Sequence, residues 1–216
     1  MRVTAPNFEQ LERLSGTRDA DLIARRFVDP ALNRGRGAQT NKGSRFDRES
    51  REAVDDGWGM VEDLKPFETI EHVERARTII TRNESPDIGF DRSINAYRGC
   101  EHGCSYCFAR PTHAYLGHSP GLEFERDIYV KTNAVEQLRR ELSDKRYKPR
   151  PIAMGTNTDP YQPAERKHRL TRGILELLLE TRHPVTITTK SALVVRDLDI
   201  LKPLAELNLV RVALSI

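Results

Sequence analysis

The chain is 216 residues long, 38% hydrophobic and 31% charged, with a mean hydropathy of −0.61; this suffices for one domain with a real core plus a polar extension. No stretch approaches the roughly 18 to 20 continuous apolar residues that span a bilayer, and the N-terminus lacks the apolar core of a signal peptide, so no membrane and a cytoplasmic setting are expected. The net charge of +3 permits a nucleic-acid partner without requiring one, because solvated basic faces are common.

Residues 1–90 read as a polar, partly disordered N-terminal extension. Short helices are expected at Phe8–Leu14, Asp19–Phe27 and Ile70–Thr81. Between them the run Arg34-Gly-Arg-Gly-Ala-Gln-Thr-Asn-Lys-Gly-Ser-Arg45 is loop or disorder by composition, a flexible or surface-wrapping arm. An Arg/Gly run also suits contacts to RNA or phosphates.

From Ser93 onward strands and helices alternate. Ser93–Tyr97 is a candidate strand. Asn133 is expected to cap a helix, with Glu136 completing a capping box and Val135, Leu138 and Leu142 forming the apolar face. Ile152–Gly155 reads as a buried strand, and the leucine-rich stretch Thr171–Thr181 as a helix that ends before Pro184. Val185–Thr189 is β-branched throughout and reads as a third strand. A helix starting near Asp197 or Asp199 puts Pro203 in or near its first turn, where a missing N–H costs least. Leu209–Leu214 is the fourth strand.

Such alternation implies parallel strands with right-handed crossovers, an α/β sheet or barrel whose ligands sit at the carboxyl ends of the strands. Polar candidates follow each strand in turn: the cysteine loop, then Thr156-Asn157-Thr158-Asp159, then Lys190-Ser191, then Ser215. A parallel array that stopped at Ile216 would leave an unpaired edge, which soluble folds avoid. An incomplete barrel, from a C-terminally truncated and marginally folded chain, is therefore expected.

All three cysteines fall in one short loop, Cys100-Glu-His-Gly-Cys104-Ser-Tyr-Cys107. An odd, clustered set argues against a disulfide scaffold and for a reducing compartment. Three thiolates are one short of closing a four-iron cluster and would leave one iron open. The rival reading is structural zinc, with His102 or His113 as the fourth ligand.

The spacing CxxxCxxC with an aromatic before the last cysteine resembles the signature of the radical S-adenosylmethionine (SAM) superfamily. Asp91–His113, Gly155–Glu165 and Thr189-Lys-Ser191 are similar to the group that includes spore photoproduct lyase and the "DNA repair photolyase" type. Gly35-Arg-Gly-Ala38 and Asp55-Asp-Gly-Trp58 resemble one subgroup of it. The resemblance implies that residues 91–216 are the N-terminal part of a radical SAM (β/α) barrel. It also implies that Cys100, Cys104 and Cys107 ligate a [4Fe-4S] cluster whose open iron is chelated by SAM. Reductive cleavage of SAM would then give a 5′-deoxyadenosyl radical, with a flavodoxin- or ferredoxin-like reductant as electron donor. Tyr106 would pack near the adenine. The superfamily's usual Gly-Gly-Glu contact to the SAM amino group is replaced here by Gly155-Thr156-Asn157-Thr158, so a backbone carbonyl or Thr156 must serve. Asp159 and Glu165 are candidate acid/base groups or SAM ribose contacts, against the plainer readings of Asp159-Pro as a turn opener and Glu165 as a surface carboxylate. Lys190 and Ser215 match positions that hold the SAM carboxylate and its surroundings in spore photoproduct lyase, and a lysine suits a carboxylate as a compact cation. Tyr161 is expected as a pocket wall or radical relay. Arg98 and Arg110 flank the loop as cluster-tuning, phosphate-binding or plain surface groups. Nucleic acid is the substrate class that the group's name brings. The competing readings are a zinc- or cluster-bearing nucleic-acid-binding module and an inactive fragment.

Overall fold

The computed structural model describes residues 35–38 and 68–216; the helices expected at Phe8–Leu14 and Asp19–Phe27 lie outside them, as does Asp55–Trp58. The first strands are β1 (Ile70–Glu74), β2 (Ile80–Arg82), β3 (Arg92–Ile94) and β4 (Tyr97–Arg98). Then come α1 (Leu122–Arg126), β5 (Asp127–Lys131), α2 (Ala134–Leu142), β6 (Ile152–Met154), α3 (Glu165–His168), α4 (Leu170–Glu180), β7 (Val185–Thr189), α5 (Leu198–Glu206) and β8 (Val210–Leu214), with 3-10 helices at Arg110–Leu116 and Ala192–Asp197.

The strands form two sheets. One is ordered β2-β3-β6-β7-β8 and the other β1-β5-β4. In the larger sheet β3, β6, β7 and β8 are mutually parallel and β2 joins antiparallel at the edge. The four parallel strands are the four that the alternation predicts, in an open mixed α/β sheet; no barrel closes among the described residues. Ile94 is in register with Met154, Met154 with Ile187, and Ile187 with Val212. All four chains therefore leave the sheet at one edge, which gathers the loops that follow them.

Several expectations fail in instructive ways. Ile70–Thr81 is not a helix: it supplies β1, paired parallel with β5, and part of β2. Partner strands outweigh local propensity there. Glu68–Phe90, on the extension side of the expected boundary, thus contributes two paired strands. Ser93–Tyr97 is not one strand either. The chain leaves the large sheet after Ile94 and enters the small one at Tyr97, so Asn95 and Ala96 cross between layers. Asn133 does occupy the N-cap of α2, but its side chain makes no cap bond. It instead clasps residue 76, accepting from Ala76 N–H at 2.8 Å and donating to Ala76 C=O at 2.9 Å. Pro203 lies well inside α5, because the helix begins at Leu198 and the proline forfeits a bond in its middle.

The core lies between the large sheet and its helices. α4 turns Ile174, Leu175, Leu177 and Leu178 inward against Ile152, Val185 and Ile187, joined by Leu138 of α2 and Leu204 of α5. Each such side chain contributes about 1.5–3 kcal/mol by burial. β8 is the exposed edge, with Leu214 63% accessible.

Candidate functional site

The cysteine loop is wound from successive tight turns. Gly103 N–H reaches Cys100 C=O at 3.4 Å, Cys107 N–H reaches Cys104 C=O at 3.2 Å, and Arg110 N–H reaches Cys107 C=O at 3.4 Å. The start of the loop is tied to α1 by Cys100 N–H donating to Phe124 C=O at 2.9 Å. All three thiols are free; Cys100 is buried, and Cys104 and Cys107 are half-buried.

The loop faces an open cavity of about 160 Å³ at the carboxyl edge of the large sheet. The residues expected to hold a cluster and SAM line it: Cys100, Cys104, Tyr106 and Cys107 from the loop, Gly155, Thr156, Asn157 and Asp159 after β6, Lys190 after β7, and Ser215 after β8. His102 and Phe108 also face it. Tyr106 and Phe108 are 74% and 80% exposed, two aromatic faces at the rim.

Gly155 is required by geometry. Its φ is +86°, and a Cβ there would fall on the carbonyl oxygen of Thr188 in β7. The next three residues are fixed from β3: Asn95 Oδ1 accepts from Asn157 N–H at 3.0 Å and Thr158 N–H at 3.3 Å, while its Nδ2 donates to Thr156 Oγ1 at 3.1 Å. Asp159 is a strut. Its Oδ1 accepts from Tyr161 N–H at 2.8 Å and Thr189 Oγ1 at 2.6 Å, its Oδ2 accepts from Lys190 N–H at 2.9 Å, and His102 Nε2 lies 3.5 Å from Oδ2. One carboxylate thus joins the β6 loop, the end of β7 and the cysteine loop. Lys190 reaches over the cavity with Nζ 3.4 Å from Cys104 Sγ, a contact that raises its pKa.

Two groups expected at the site stand elsewhere. Tyr161 is fully buried in the core and does not line the cavity. Glu165 is also fully buried, and accepts from Tyr97 Oη at 2.5 Å, Thr171 N–H at 3.0 Å and Arg196 Nη2 at 2.9 Å; both are framework. Arg98 pairs with Glu74 at 2.9 Å. Arg110 turns inward, its Nε donating to Cys104 C=O at 3.0 Å and its Nη2 pairing with buried Glu125. His113 sits away from the cavity, edge-on to Phe124 and 5.1 Å from His118 by ring centroid, so it cannot complete a Cys₃His set here.

Asn95, Gln162 and Glu101 went unread in the sequence. Gln162 pins the entry to the loop: its Oε1 accepts from Glu101 N–H at 3.0 Å and its Nε2 donates to Gly99 C=O at 3.3 Å. Glu101 Oε2 accepts from Ala164 N–H at 2.6 Å. Nothing in the sequence hinted at Asn95, which fell inside the expected strand Ser93–Tyr97, whereas the structure ends that strand at Ile94.

Three thiols free of disulfides share one cavity, a donor set of the kind that a four-iron cluster with one open iron would take; among the described residues no three Cys, His, Asp or Glu side chains converge on a single-ion position. Burial pushes the Cys100 thiol up to about 12, opposed by backbone N–H groups of Asp159 and His102 directed at its sulfur. Those N–H donors favour the thiolate, the form that binds iron.

These features define a parallel-stranded α/β domain with a thiol-lined cavity at the carboxyl edge of its sheet. Residues 94–216 match the model of the Radical SAM superfamily, and the chain belongs to that superfamily, whose members carry out SAM-dependent radical chemistry. An uncharacterized protein of Mycobacterium tuberculosis is 45% identical over 127 residues, 59% of this chain and 37% of that protein. One from Methanocaldococcus jannaschii is 32% identical over 116 residues, 53% of this chain and 41% of that protein. One from Acidianus two-tailed virus is 26% identical over 127 residues. The matches thus cover well under half the length of these relatives. No solved structure matches the chain. No helix among the described residues is long and apolar enough to cross a membrane.

Proposed function

We propose that the chain is the cofactor-holding part of a radical SAM enzyme of the spore photoproduct lyase-like group, with Cys100, Cys104 and Cys107 as ligands of a [4Fe-4S] cluster. The observation that carries this reading is the shared cavity, which sets three free thiols opposite the loops that end β6, β7 and β8. When bound, cluster and SAM together supply one-electron cleavage of the sulfonium and hydrogen-atom abstraction from a substrate. The chain's own residues bind and orient. Lys190 offers its ammonium to the SAM carboxylate, with Ser215 beside it. Thr156 and the backbone of Gly155–Thr158, held rigid by Asn95, offer oxygens to the amino group. Tyr106 and Phe108 give the adenine a stacking face. Asp159 keeps the loop ends together and so sets where Lys190 stands.

The electron comes from a flavodoxin- or ferredoxin-like reductant, and nucleic acid is the first substrate class to assay, as the group's name suggests. Anaerobic reconstitution with iron and sulfide tests the reading. The protein should bind about four irons and turn brown; Cys100→Ala, Cys104→Ala and Cys107→Ala should each stay colourless, and with SAM and dithionite the wild type should form 5′-deoxyadenosine. Stoichiometric zinc with no iron would overturn it in favour of a zinc-bearing binding module.

A further inference from the structure

The short segment Gly35-Arg36-Gly37-Ala38 lies against the cysteine loop, although it is far away in sequence. Gly37 N–H donates to Glu125 Oε2 at 3.0 Å and Ala38 N–H to Glu125 Oε1 at 2.7 Å. Glu125 is fully buried, on the short helix that follows the cysteine loop. The same carboxylate pairs with Arg110, whose Nε holds the carbonyl of Cys104. Arg36 makes a second attachment. Its Nη1 donates to Glu125 C=O at 2.6 Å and its Nη2 to Thr69 Oγ1 at 2.7 Å, and Thr69 in turn donates to Glu101 Oε1 at 2.8 Å. Contact at the glycines is closer still. A Cβ on Gly37 would overlap the carbonyl oxygen of Gly103, and a Cβ on Gly103 would stand 2.5 Å from Arg36 Cβ.

A buried carboxylate is costly unless its oxygens are met by donors. The donors that meet Glu125 are the Arg110 guanidinium on one side and two backbone N–H groups of this segment on the other. Remove the segment and Glu125 loses two of those three donors, and the carboxylate that anchors the Arg110 grip on Cys104 is no longer held in place. We propose that Gly35–Ala38 is a latch that holds the cysteine loop in its ligand-binding shape, with Glu125 as its catch and Arg110 as the arm that transmits the hold to Cys104. Arg36, Gly37, Arg110 and Glu125 are then positioning residues. The Arg/Gly run is a loop-holding element rather than a phosphate-binding arm at these four positions.

The latch rests on the cluster reading only for what the loop holds, and its test separates the two. In the metal-free full chain, Gly37→Ala should raise the alkylation rate of Cys104 and Cys107 by iodoacetamide about tenfold, in protein that stays folded by circular dichroism at the assay temperature though with a lowered thermal midpoint. In the reconstituted protein the same change should speed loss of iron to a chelator by a similar factor; Arg36→Ala should act in the same direction, and Arg36→Lys should recover part of the loss. Alkylation rates within twofold of wild type in folded Gly37→Ala protein would overturn the latch. If that variant does not fold, hydrogen exchange in the wild type decides: slow exchange of the Gly37 and Ala38 amides supports the latch, and exchange at the free-peptide rate overturns it. Faster alkylation in a protein that never takes up iron would leave the latch standing and remove the cluster.

Discussion

Asp159 separates a strut from a ligand, and Asp159→Asn is the substitution that shows which it is. The amide is isosteric and can keep an oxygen facing Tyr161 N–H and Thr189 Oγ1. Its –NH₂ must then replace Oδ2, which accepts from Lys190 N–H at 2.9 Å. Two donors would face each other, and Lys190 N–H would lose its acceptor. The loss of a charge-assisted bond together with an unmet donor costs roughly 2 kcal/mol. For a domain of this size that lowers Tm by roughly 4–8 °C. The measurement is thermal or urea unfolding of the metal-free full chain, where no SAM is present to be bound. Because Lys190 is displaced, SAM affinity should fall as well. A purely ligand-binding Asp159 would give the opposite pattern, with weaker SAM binding and an unchanged metal-free Tm, and that result would refute the strut.

Lys190→Ala should leave metal-free stability unchanged, since the ammonium is exposed, and weaken SAM binding by about 10- to 100-fold, the effect of losing a charge-assisted contact; unchanged binding by calorimetry would remove Lys190 from the site. Gly155→Ala should cost about 3 kcal/mol or more, because a φ of +86° and the Thr188 carbonyl both oppose a Cβ, and a Tm within 2 °C of wild type would contradict this. His113 is held neutral: burial first, then the nearby His118, depress its pKa to about 4 against pulls from Asp127 and Glu123. The unfolded chain takes up that proton near pH 6.5, so stability is full above that value, declines as pH falls toward 4, and is lower by about 2 kcal/mol at pH 5. Unfolding free energies of His113→Gln should lack that portion of the slope, and parallel pH profiles for the two proteins would disprove the assignment.

The parallel strands of the large sheet were legible because their runs are short, apolar or β-branched, and separated by helical patterns. Val185–Thr189 alternates buried and less buried positions as a strand should, and the leucines of α4 face one way. Asp127–Lys131 was missed although Ile128 and Val130, both buried, carry the alternation; the run is brief and bounded by charged residues. Ile70–Thr81 misled because Ile70, Val73, Ala76 and Ile80 fall near a helical period, while the actual reason for two strands is the pair of partners they meet, Asp127–Lys131 and Arg92–Ile94. Pairing of that kind is a tertiary fact with no local trace.

The cavity was more legible than the frame around it, and the reason is physical. Residues that line it are chosen for what they offer a ligand, so thiols, hydroxyls and an ammonium stand out at strand ends. Glu101, Glu125 and Glu165 look in the sequence like ordinary surface carboxylates, yet each is buried. What buries them lies far off in sequence: the partners of Glu125 include Gly37, 88 positions away, and Glu101 accepts from a residue 63 positions away. Such carboxylates tolerate burial only when all their donors are in place, and then they fix the loop firmly. The chemistry of this site is therefore written locally and its geometry non-locally. Substitutions at Glu101 or Glu125 should disable the cysteine loop, and substitution of Asn95 the loop after β6, without any of those side chains touching what the cysteine loop holds.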